Sequence, residues 1–68
     1  MSIDYDRISS ILIPLEGEDI AYQARDAIQA IKEGQVAPIS IVNKLVDRLV
    51  IKHDIQGDDK DFLESLKE

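Results

Sequence analysis

The sequence contains no cysteine and a single histidine, His53. The first absence rules out disulfides, thiol nucleophiles and cysteine-ligated metal centres, and it fits a reducing compartment. Aromatic residues are almost as scarce: Tyr5, Tyr22 and Phe62 are the whole set. The core must therefore be aliphatic. There is no Gly-rich phosphate loop, and none of the serines stands in a GxSxG setting. The longest apolar run, 11–15, is broken by Pro14 and cannot span a bilayer. The opening MSIDYDR has no basic segment followed by an apolar one, so no signal peptide is expected. Neither a membrane nor a cofactor is expected, and the expected location is cytoplasmic.

What is present is an apolar, acidic chain of 68 residues. At 44% hydrophobic residues it is too apolar for disorder, and its length allows one small domain, 1–68, with a modest core. The net charge of −6 is unevenly distributed. Residues 1–19 carry −4, residues 20–53 carry five bases against three acids, and residues 54–68 carry −4 again. Acidic ends around a mildly basic middle disfavour direct binding to a phosphate backbone.

The densest apolar stretch is 38–53, PISIVNKLVDRLVIKH. At 100° per residue, Ile39, Ile41, Val42, Leu45, Val46, Leu49 and Val50 fall on one half of a cylinder. The adjacent pairs Ile41–Val42, Leu45–Val46 and Leu49–Val50 are incompatible with strand alternation. This predicts a central helix opened by Pro38, where the missing N–H costs nothing. Before it, 18–33 predicts a helix with a stripe of Ile20, Ala24, Ala27, Ile28 and Ile31, closed by Gly34. The short link to Pro38 predicts a helical hairpin. A first short helix carries Ile8, Ile11 and Leu12 and is expected to end at Pro14, with 15–17 as a turn. A last helix, about 59–67, presents Phe62, Leu63 and Leu66, with Asp58 or Asp59 as its cap. The expected fold is an all-α bundle of three to four short helices. The alternative is an α+β fold with a strand near 36–42, where Val and Ile dominate.

Four chemical readings bear on these elements. Paired carboxylates such as Asp58 and Asp61 lie in polar stretches unsuited to the raised pKa of a general acid, so no enzyme is expected. His53 has no second histidine or cysteine to share a metal; it reads as a helix-end residue complementing the dipole. A calcium loop over 54–65 fails, since Asp59 stands where glycine is needed and Ser65 where glutamate is needed. A helix-turn-helix nucleic-acid binder is disfavoured by the apolar start of its would-be reading helix, 36–41.

There remains a small acidic protein-binding module, of the inhibitor or neutraliser kind, acting on another protein with a basic surface. The alternatives are a self-assembling structural or adaptor subunit and the helix-turn-helix binder. The candidate partner-binding residues are Tyr22, Ile51 and Phe62, flanked by Asp58, Asp59, Asp61 and Glu64. Small size and surplus apolar surface also suggest a homo-oligomer.

Overall fold

A computed structural model describes residues 2–34 and 36–68, and four helices account for most of them. They are α1 (Tyr5–Glu16), α2 (Glu18–Gly34), α3 (Ile39–His53) and α4 (Gly57–Ser65). There is no strand among the described residues, and Ile39–Val42 open α3 instead. Of the β-branched residues that raised the strand alternative, Val42 is fully inaccessible and Ile39 packs on the core, while Val36 and Ile41 are exposed; burial of the α3 face that includes Val42 and Val46 holds the segment helical.

α1 and α2 make the most extensive helix pairing in the bundle. One residue, Gly17, joins them. Its φ of 88° and ψ of 163° belong to glycine alone. Its N–H donates to the Ile13 carbonyl and its own carbonyl accepts from Ala21 N–H, both at 3.0 Å, so it closes one helix and opens the next. The expectation that Pro14 ends α1 is corrected: the helix runs through it to Glu16. In the last turn proline forfeits only the bond to the carbonyl four residues back, on Ser10, which is exposed and can be met by water.

The core is one aliphatic cluster with members from every helix: Ile8, Ile11 and Leu12 of α1; Ala21, Ile28 and Ile31 of α2; Val42, Val46 and Leu49 of α3; and Leu63 of α4. Ile55 and Leu66, just outside helices, complete it. On α2 the buried stripe is rotated from the expected one. Ala21 is buried while Ile20 stays 47% exposed, because the close approach of α1 across Gly17 selects the smaller side chain.

α3 ends in a Schellman motif. The Ile55 N–H donates to the Val50 carbonyl and the Asp54 N–H to the Ile51 carbonyl. Ile55 is buried and Val50 packs on the same cluster, the apolar contact this motif favours. Asp54 occupies the left-handed position at φ 50°, ψ 48°. There it bears a Cβ penalty and places a carboxylate at the negative end of the helix dipole. Asp54→Gly should therefore stabilise the protein by about 0.5–1 kcal/mol. A fall in the urea midpoint would mean that the exposed Asp54–Gln56 side-chain bond outweighs both effects.

α4 starts at Gly57, earlier than expected, with Gln56 as N-cap and no side-chain cap bond. Asp58 and Asp59 lie instead in its first turn, where the dipole favours them. The Tyr5 hydroxyl is buried with no hydrogen-bond partner among the described residues. Burial first, then the charge of Glu33 and its proximity as a hydrogen-bond acceptor, raise its pKa above the ordinary phenol value, although the geometry does not reach that of a hydrogen bond. Tyr5→Phe removes a desolvated group without opening a cavity, so a gain of about 1 kcal/mol is expected. Differential scanning calorimetry should show a melting temperature higher by roughly 4–8 °C; a lower one would mean that the hydroxyl has a partner.

Candidate functional site

The residues singled out in the sequence separate into three places. Asp58, Asp59, Asp61, Phe62 and Glu64 share α4. Phe62 is half-buried, with the Arg7 guanidinium 4.7 Å from its ring centroid. Arg7 also stands 3.8 Å from the Asp59 carboxylate and donates to the Asp58 carbonyl at 3.4 Å. Glu64 accepts from Lys67 at 3.0 Å, and Asp61 is exposed. Tyr22 lies on α2 under the Arg25 guanidinium, 4.9 Å from its centroid, and Arg25 pairs with Asp6 and Asp26. The successive α1 residues Asp6 and Arg7 thus reach to α2 and to α4, and the two capped rings lie on different sides of α1. Ile51 is apart from both. It is 80% exposed, about 180° round α3 from the buried Val42.

A concave surface forms elsewhere, along the outer flank of α3 where it meets α2. One hollow of about 220 Å³ is lined by Glu16, Ile20, Leu45, Arg48, Leu49 and Lys52. A second, about 280 Å³, is lined by Ile41, Lys44, Leu45 and Arg48. Leu45 and Arg48 line both, so the two hollows adjoin along α3 and together make up a shallow trough, walled by α1 and α2 residues only at its Lys52 end. Its construction follows from helix geometry, in which residues four apart form ridges. Ile41, Leu45 and Leu49 make an apolar ridge; Lys44, Arg48 and Lys52 make a cationic ridge beside it. Ile41, 48% exposed, lies on the apolar side of the helical wheel yet meets no neighbour that buries it.

The charges of this trough are unusual for the chain. Lys52 is engaged with Glu16 at 2.9 Å. Lys44 and Arg48 form no ion pair or side-chain hydrogen bond among the described residues, although acids outnumber bases by fourteen to eight. Like charges four apart on a helix oppose it by about 0.2–0.5 kcal/mol. Of the other cations, Arg7, Arg25, Lys32 and Lys67 hold carboxylates, whereas Lys60, on α4 between Asp59 and Asp61 in sequence, forms no ion pair among the described residues.

A larger hollow, about 570 Å³, lies beneath the link between α2 and α3, lined by Ile31, Lys32, Ala37, Pro38, Ile39 and Glu68. Its cation is already satisfied, since Lys32 donates at 2.9 Å to both the Leu66 carbonyl and the Glu68 carboxylate. It acts as a clasp that ties residues 66–68 to α2.

His53 is placed by structure rather than by chemistry. Its Nε2 is 2.9 Å from Glu16 Oε2. A carboxylate only accepts, so Nε2 carries the proton. No group of three or more His, Cys, Asp or Glu among the described residues is arranged to hold a metal ion. No described helix is long and apolar enough to cross a membrane. No protein-family model matches the chain, and neither a curated protein nor a solved structure matches it.

Proposed function

We propose that this chain is a small non-enzymatic module that binds another protein through the outer flank of α3. The observation that carries this reading is the trough itself: exposed isoleucines beside two unpaired cations on a rigid helix. Binding energy comes mainly from a few apolar anchors, and Ile20, Ile41 and Leu45 supply them here. Ile51, 80% exposed, is a separate apolar residue on the far side of the cationic ridge of the same helix. The acidic residues of α4 and the ring of Phe62 are partly engaged by Arg7 and Lys67, which makes them a poorer anchor surface than the trough. A module with binding surface and no reactive group acts by occupying a site on its partner, which is the action of an inhibitor or neutraliser.

Affinity capture from the native host with wild-type protein and with a Lys44→Glu/Arg48→Glu variant tests this. A protein retained by the wild type, released by the variant and rebound in purified form is the expected result. Tight binding to DNA or RNA at physiological salt with no partner present overturns it.

A further inference from the structure

We infer that the occupant of the α3 trough is an acidic amphipathic helix of a partner protein; this rests on the protein-binding reading and specifies its partner. Three features lead there. The first is shape. From Ile41 to Lys52 the trough runs along α3 for roughly 17 Å, the length of about three helical turns. An amphipathic helix lays apolar residues spaced three or four apart into such a groove.

The second is chemistry in register. The apolar ridge of Ile41 and Leu45 and the cationic ridge of Lys44, Arg48 and Lys52 run side by side at the same four-residue spacing. A helix with leucine-like residues on one stripe and glutamate or aspartate on the next meets both ridges at once. It supplies the anions that Lys44 and Arg48 lack.

The third is the charge of everything around the trough. The chain carries −6 overall, so its net charge repels an anionic segment, while the strip with two neighbouring cations that lack ion pairs among the described residues attracts it and fixes orientation more than it adds affinity. A nucleic acid fits less well, because the strip is bordered by aliphatic side chains and no aromatic lines it for base stacking. A second copy of this chain fits less well too. A two-fold contact sets the face against itself, and its one carboxylate, Glu16, is already held by His53 and Lys52.

The test is titration of the ¹⁵N-labelled full chain, followed by amide chemical shifts, with three probes. One is an amphipathic peptide of about 18 residues with a leucine stripe flanked by glutamates. The second is the same peptide with lysines for glutamates. The third is a single-stranded DNA oligonucleotide. The expected result is saturable shifts confined to Ile20, Ile41, Lys44, Leu45 and Arg48 with the glutamate peptide only. Charge reversal in Lys44→Glu/Arg48→Glu should weaken it by about tenfold or more, and added salt should weaken it further. The variant's melting temperature checks that it is folded, and Lys44→Gln/Arg48→Gln gives a milder second variant. Several results overturn the inference. Equal binding of the lysine peptide at the trough does so while leaving the protein-binding reading intact. DNA binding at physiological salt overturns both. Trough shifts that depend on the protein's own concentration assign the face to a second copy. No shifts with the glutamate peptide up to about 1 mM, or shifts confined to another face, reject the acidic helix outright.

Discussion

Leu12→Ala should come close to unfolding this protein at room temperature. Leu12 is completely inaccessible and belongs to the one core cluster to which all four helices contribute. Truncating a buried leucine to alanine removes transfer free energy and leaves a cavity, together about 2–5 kcal/mol. A chain of this size at ordinary stability per residue has roughly 3–10 kcal/mol in total, so the lower half of that range is exhausted by one substitution. There is no disulfide to hold a weakened state together. Urea unfolding followed by circular dichroism at 222 nm is the measurement. Leu45→Ala is the control. That side chain is half-buried beside the trough, so its loss should cost on the order of 1 kcal/mol. Equal losses in the two variants would place Leu45 in the core and close the trough as a binding surface.

That contrast also separates what periodicity can and cannot convey. The apolar half-cylinder of α3 was legible from 39–50 alone, as were all four helices and the burial of Ile8, Leu12, Ile28, Val42, Val46 and Leu63. A wheel reports which side of a helix is apolar, but not how much of that side a neighbour covers. Leu45 and Leu49 look equivalent in sequence, yet Leu49 is buried and Leu45 is not. Ile41 is on the apolar arc and nearly half exposed. Pro14 misled because its cost depends on whether the lost bond is internal, and here the deprived carbonyl is on exposed Ser10. Ile55 was missed, although an aspartate followed by an isoleucine just past a helix end is compatible with a Schellman closure.

The site was less legible than the fold. The mildly basic middle of the chain was visible in the residue counts, but its meaning depends on pairing. Arg25, Lys32 and Lys52 are neutralised by carboxylates contributed from within or beyond that segment, and Lys44 and Arg48 are left over. No count of charges distinguishes the two groups. In the sequence the acidic ends suggest a docking surface, yet several of their carboxylates are taken up internally, Asp59 by Arg7, Glu64 by Lys67 and Glu68 by Lys32. Only the tertiary fold reveals that the unmatched charge of this acidic protein includes a positive strip.

Glu16 should make the protein's stability fall in acid, and Glu16→Gln should remove that contribution. The side chain ends α1 and takes the only charged contacts that join α1 to α3 among the described residues: His53 Nε2 and Lys52 Nζ, both at 2.9 Å. The hydrogen bond from His53 first, and that from Lys52 second, hold the carboxyl pKa below its ordinary value of 4.5, against a smaller opposing effect of burial. A depressed carboxylate binds fewer protons folded than unfolded in that window, so stability rises with pH there. The contribution is complete above the ordinary value and is lost as pH falls through the lower, folded one. Wild type should therefore melt above Glu16→Gln at neutral pH, and the gap should close as pH is lowered through and below 4.5. Other carboxylates titrate in both proteins and largely cancel in the difference. High salt should shrink the neutral-pH gap only partly, because the Glu16 and His53 side chains are 16% and 15% exposed. A melting gap that stays constant between pH 7 and pH 3 would show that Glu16 supports the α1–α3 junction by packing alone, with no part for its charge.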